Sequence, residues 1–134
     1  MVSWKDEYSV GIGELDDQHK SLFNLLDKLS AAIGDKDKLS LSYIVTSLEV
    51  YVVFHFTSEE HLLAKYGYPG LDKQEKEHTE FKARVAKYKA EMSTGDKLKL
   101  AGEIRQYLHD WLVGHIISLD KKYAPFLLEK MGKK

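Results

Sequence analysis

Four stretches of this chain repeat apolar residues at alternating steps of three and four, and each repeat is broken once by polar side chains. That spacing lays one apolar stripe along a helix and is incompatible with the strict alternation of a half-buried strand. The first stripe reads Leu15, His19, Leu22, Leu26, Leu29, Ile33, and the second Leu41, Val45, Leu48, Val52, His55, Glu59, Leu62, Tyr66. The third reads Leu71, Gln74, His78, Phe81, Val85, Tyr88, Met92, and the fourth Ala101, Ile104, Leu108, Trp111, His115, Leu119. Turn-forming residues separate them: Gly34-Asp35, the run Tyr66 to Gly70 with its Pro69, and Ser93 to Asp96. The spacing predicts helices over about 17–33, 40–66, 72–92 and 97–119. Short links between such helices make antiparallel neighbours, so the expected fold is all-α, an up-down-up-down four-helix bundle. An N-terminal arm containing Gly11 and Gly13 precedes it and a short C-terminal tail follows, in a single domain over residues 1–134.

The interruptions agree in height. His19 lies near the start of the first helix, His55 and Glu59 toward the end of the second, Gln74 and His78 near the start of the third, and His115 near the end of the fourth. In an antiparallel bundle all of these fall at one end. Polar groups withdrawn from water need partners, and a carboxylate needs a strong one. Histidines and a glutamate converging inside a bundle are satisfied most economically by bound metal. His61 and His109 each lie six residues from a seam histidine, which at about 100° per residue turns them off the stripe toward the surface. The lysines and glutamates of KQEKEHTEF, residues 73–81, read as a solvated face around His78. Asp120 follows His115 by five, a step that turns it about 140° away in a regular α-helix. It reaches the same site only if the helix widens into a π-bulge or ends there.

Composition excludes several alternatives. Twenty basic residues against 21 acidic ones leave a net charge of −1, which fits neither a nucleic-acid nor an acidic-lipid partner. The absence of cysteine rules out disulfides, iron–sulfur clusters and thiolate metal sites, and is compatible with the cytoplasm. The start MVSWKDEYSV has neither the basic nor the apolar region of a signal peptide, and apolar runs such as Tyr51 to Phe54 are too short to cross a bilayer.

The order HxxxE at His55–Glu59, a YP turn, HTEF at 78–81 and WLVGHIISLD at 111–120 resembles hemerythrins, in particular the bacterial single-domain type. The opening Trp4 and VGIGELDDQHKSLF match as well, so the resemblance spans nearly the whole chain. It implies a non-haem di-iron centre with an oxo or hydroxo bridge that binds O2, in storage, delivery or sensing. His19 and His55 would hold the iron that takes up O2, His78 and His115 the other, with Glu59 and Asp120 bridging. Trp111, Leu112 and Ile116 match positions lining the family's O2 pocket. Together with the composition, this resemblance makes the expected protein a cytoplasmic monomer whose partner is O2, with no nucleic-acid or membrane partner.

At position 74 the resemblance calls for a fifth histidine and this chain has Gln74, either a weak ligand through its amide oxygen or a neighbour of the ligands. That departure keeps a second reading open, a di-iron enzyme with peroxidase or oxidase activity. Glu75 and His78 also form the ExxH spacing of ferritin-like di-iron proteins, but the second ExxH which that scheme needs is missing.

Overall fold

The computed structural model describes residues 4–34, 41–92 and 96–132. Helices α1 (Gly13–Gly34), α2 (Leu41–Lys65), α3 (Leu71–Glu91) and α4 (Lys97–His115) form the bundle. Each of α1 and α3 packs against both α2 and α4, which closes the four into a ring. Asp35, Ser40 and Ser93 to Gly95, which belong to the expected turns and to the expected start of the second helix, lie outside the described residues.

Local chemistry sets the helix ends. After α2 the chain turns through Gly67 at φ 71°, the left-handed region that glycine enters at little cost. Tyr68 N–H donates to the Leu63 carbonyl at 2.9 Å and Gly67 N–H to that of Ala64 at 3.2 Å, the Schellman arrangement that satisfies the last carbonyls of a helix. At the head of α4, the Asp96 carboxylate accepts from the backbone N–H groups of Leu98 and Lys99, which have no partner within the helix. Helix α1 starts at Gly13, ahead of the expected position near 17. There the Asp16 carboxylate accepts from Ser9 Oγ at 2.5 Å and Val10 N at 2.8 Å, pinning the arm so that the first turn forms early.

The stretch expected to be a tail is helical. A π-helical segment, Ile116–Asp120, leads into α5, Lys121–Lys130. Helix α5 buries Tyr123, Ala124 and Leu127 against Val10, Ile12, Leu15 and Leu63. Gly11, at φ 78°, lies beneath it, and a Cβ there would stand 3.0 Å from a Leu128 methyl carbon. The main core is a second apolar cluster that includes Leu22, Leu26, Leu48, Val52, Phe56, Phe81, Ile104 and Leu108. Each such side chain contributes about 1.5–3 kcal/mol of transfer free energy. Along α1, His19 falls between Leu15 of the first cluster and Leu22 of the second, and along α2 Glu59 falls between Leu63 and Phe56. A polar layer is thus walled by hydrocarbon on both sides.

The second seam departs from its expected course in one place. After Glu59 the buried residue is Leu63, and Leu62 is only half-buried. Helix α2 is also apolar outward, with Tyr43, Val50, Tyr51, Val53 and Phe54 exposed. No helix among the described residues is long and apolar enough to cross a membrane.

Candidate metal centre

Helices α1 to α4 and the π segment each deliver part of one buried cluster. His19, His55, Glu59, Gln74, His78, His115 and Asp120 are all within 4% of full burial, and Glu59 and Asp120 have no exposure at all. Asp120 arrives through the π-helical turn. Lys121 N–H donates to the Ile116 carbonyl, five residues back, and this wider turn returns Asp120 to the face of His115. Its Oδ1 lies 3.0 Å from His115 Nε2.

The two carboxylates divide their oxygens between two pairs of imidazoles. Glu59 Oε2 lies 3.7 Å from His19 Nε2 and 3.5 Å from His55 Nε2. Its Oε1 lies 2.9 Å from His78 Nε2 and 3.8 Å from His115 Nε2. Asp120 repeats the division, with Oδ2 3.1 Å from His19 Nε2 and Oδ1 turned to His115. Donor atoms of His19, His55, Glu59 and Asp120 lie within 4.8 Å of one another, and so do those of Glu59, His78 and His115.

Three rings are held from behind. His55 Nδ1–H donates to Gln18 Oε1 at 2.7 Å, His78 Nδ1–H to Glu60 Oε2 at 2.6 Å, and His115 Nδ1–H to Glu77 Oε1 at 3.0 Å. A proton on Nδ1 leaves the Nε2 lone pair facing the cluster, the tautomer that a metal ligand requires. Aromatic faces fix the ring planes: Phe56 stacks on His78 at 3.8 Å and Trp111 on His115 at 4.2 Å between centroids. Tyr123 donates its hydroxyl proton to Glu59 Oε2 at 2.7 Å, and the Gln74 amide nitrogen donates to Asp120 Oδ1 at 3.0 Å.

Electrostatics follow from burial and proximity. For His19, the lowering by burial is overcome by Asp120 and Glu59, and its pKa is raised to about 9. The same competition raises His115 to about 11. At His55 burial prevails over the attraction of Glu59, and the pKa falls to about 4. Burial pushes the Glu59 carboxyl upward, yet His55, His115, His19 and His78 together hold it well below the usual carboxylate range. Asp120 is raised by burial and by Glu59, but His115 and His19 bring it below its ordinary value. Without a cation, protons on His19 and His115 therefore balance the two carboxylates.

The donor set fits a pair of divalent ions. His19 Nε2, His78 Nε2, His115 Nε2, Glu59 Oε1 and Asp120 Oδ2 are buried and make no hydrogen bond of acceptable geometry, although they approach one another closely. Buried polar atoms left so cost about 1–3 kcal/mol each, and a cation between them removes that cost. Imidazole with carboxylate suits iron, and also zinc and manganese.

Other sequence-derived positions fall as follows. Leu112 and Ile116 are buried in the main core, with Trp111 half-buried against it. Trp111 stands beside His115, the imidazole assigned by resemblance to the iron that does not take up O2. Glu75 is exposed, so the ExxH alternative lacks its carboxylate. His61 is exposed, while His109 is half-buried and pairs with Asp110 at 2.9 Å, apart from the cluster. The solvated face read for residues 73–81 needs correction at Glu77, because that side chain anchors His115. Gln18, Glu60 and Tyr123 have no signal in the sequence, since none lies on an expected seam.

A family model described as the hemerythrin HHE cation-binding domain matches residues 10–127. The chain is 32% identical over 130 residues to a bacteriohemerythrin of Methylococcus capsulatus, covering 95% of this chain and 97% of that protein. It is 34% identical over 124 residues to a hemerythrin from Sipunculus nudus, with 92% of each covered. A crystal structure of wild-type hemerythrin is similar with a TM-score of 0.79 and 29% identity, covering 95% of this chain and 98% of that one.

Proposed function

The chain belongs to the hemerythrin family, and on that premise we propose that it binds O2 at a non-haem di-iron centre held by His19, His55, Glu59, His78, His115 and Asp120. The observation that carries this reading is the division of oxygens, by which Glu59 and Asp120 each turn one oxygen toward His19 and the other toward His115. That is the disposition two bridging carboxylates need.

Two ferrous ions bound there supply the electrons and the coordination position that O2 uptake uses. The protein's own groups do the rest. His19 and His55 would hold one ion and His78 and His115 the other, while Gln18, Glu60 and Glu77 keep three of those rings in the ligating tautomer. Leu112 and Ile116, which match positions of the family's O2 pocket, are buried in the apolar core, and hydrocarbon at such positions would limit water and proton access to bound O2. Tyr123 keeps its proton, because its phenol is raised well above its ordinary value by burial and by the charges of Glu59 and Asp120. It therefore acts as a fixed hydrogen-bond donor to Glu59. The near balance of 20 basic and 21 acidic residues supports a role without a polyanionic partner. The proposal extends to a monomer working in the cytoplasm.

The test is anaerobic loading with ferrous iron, followed by repeated exposure to O2 and its removal. Two irons per chain and a colour that appears and disappears over successive cycles are expected. A single, irreversible oxidation would refute reversible binding.

A further inference from the structure

Resting on the di-iron reading above, we infer that Gln74 makes the two halves of the centre unequal in metal affinity. The half at His19 and His55 draws on both carboxylates, so four residues converge there. The half at His78 and His115 converges only with Glu59. Asp120 Oδ1 does face His115, but it also accepts the Gln74 amide proton. Gln74 is 1% exposed and lies one helical turn before His78, where its side chain shares that residue's face.

The orientation of the amide decides its role. An amide nitrogen carries two protons and offers no lone pair to a metal. Turning the amide over would place its oxygen 3.0 Å from a carboxylate oxygen, a contact without a proton between acceptors. The nitrogen therefore stays on Asp120, and Gln74 Oε1 is left buried without a hydrogen bond. Gln74 acts through Asp120 as a positioning residue: it holds the carboxylate and withdraws part of one oxygen from the His115 side. The only ligand it could add is its neutral amide oxygen, a weaker donor than the imidazole of a histidine. Metal then loads the His19, His55, Glu59 and Asp120 half first, and the other half fills more weakly by about tenfold or more, the scale on which such outer hydrogen bonds act.

The experiment is a titration of the metal-free full-length protein with Co(II), read by calorimetry and by the visible absorption of the bound ion. The wild type should take up two equivalents in separate steps whose affinities differ by about tenfold or more. Gln74→His, which places a second imidazole one turn from His78, should narrow that gap. Gln74→Glu, nearly isosteric with the native residue and able to offer an oxygen, should also narrow it, and decides the matter if the histidine variant does not fold. Gln74→Leu, which releases Asp120 Oδ1 without adding a ligand, should narrow it less than either. Two equal steps in the wild type, or a gap unchanged by both His and Glu, would overturn the inference while leaving the di-iron reading intact. Failure of every form to bind Co(II) at the buried cluster would instead refute the di-iron reading itself.

Discussion

Tyr123 donates to Glu59 across 64 residues of sequence, and the other supporting bonds also join different helices. His55 is anchored by Gln18 at a separation of 37, His78 by Glu60 at 18, and His115 by Glu77 at 38. This explains which residues were legible in the sequence. His19, His55, Glu59, His78 and His115 interrupt apolar stripes, and a polar residue on a buried stripe is conspicuous wherever it occurs. Gln18, Glu60 and Glu77 sit beside the stripes among ordinary surface residues, and only the rotation of neighbouring helices brings them to the rings. Tyr123 lies in a stretch with no expected helix. Its contribution is nevertheless measurable. Replacing Tyr123 with Phe removes one hydrogen bond to a buried carboxylate and should lower the stability of the metal-free protein by about 1.5–3 kcal/mol in denaturant unfolding. A change smaller than about 0.5 kcal/mol, the range of ordinary surface substitutions, would mean that Glu59 does not depend on this donor.

Among the elements, the π-helical segment 116–120 carries the most consequence. Spacing alone turned Asp120 away from His115; what the spacing could not reveal is the additional residue accommodated in that turn. The four principal helices were legible because their cores are periodic. The tail was not, because α5 is short and its buried residues Tyr123, Ala124 and Leu127 complete a stripe only when α5 meets the N-terminal arm. The segment also makes a sharp prediction. Deleting exposed Ser118 should replace the π turn by a regular α turn, with the carboxylate four residues after His115 and still on its face. Inserting one alanine after Ser118 should instead swing Asp120 away by about 100°. Both variants should remain helical by circular dichroism, and metal analysis should find the deletion form loaded and the insertion form depleted. Equal loading of the two would show that Asp120 is not a ligand.

For the molecule as a whole, the buried charges tie folding to pH and to metal. His19 and His115 have folded pKa values of about 9 and about 11, above the ordinary 6.5. Their stabilisation is fully present below pH 6.5 and is lost as pH rises through those values. His55 is lowered to about 4, so the unfolded chain binds its proton first, and stability falls as pH drops from 6.5 toward 4. Loss of the favourable ionisation of Glu59 and Asp120 adds to the acid side. The metal-free protein should thus be most stable near pH 6.5 and weaken in both directions. Metal bound through His19 and His115 would displace their protons, so the alkaline loss should disappear in the loaded protein while acid becomes more destructive. Thermal unfolding across pH, with and without iron, reads both effects, and an alkaline loss unchanged by metal would contradict the assignment.

Whether two ions share Glu59 and Asp120 is tested most directly by anomalous diffraction at the iron edge from anaerobically loaded crystals. Two peaks inside the bundle are predicted, one against His19 and His55 and the other against His78 and His115, with both carboxylates between them. A single peak, peaks outside the buried cluster, or no bound iron would contradict that arrangement.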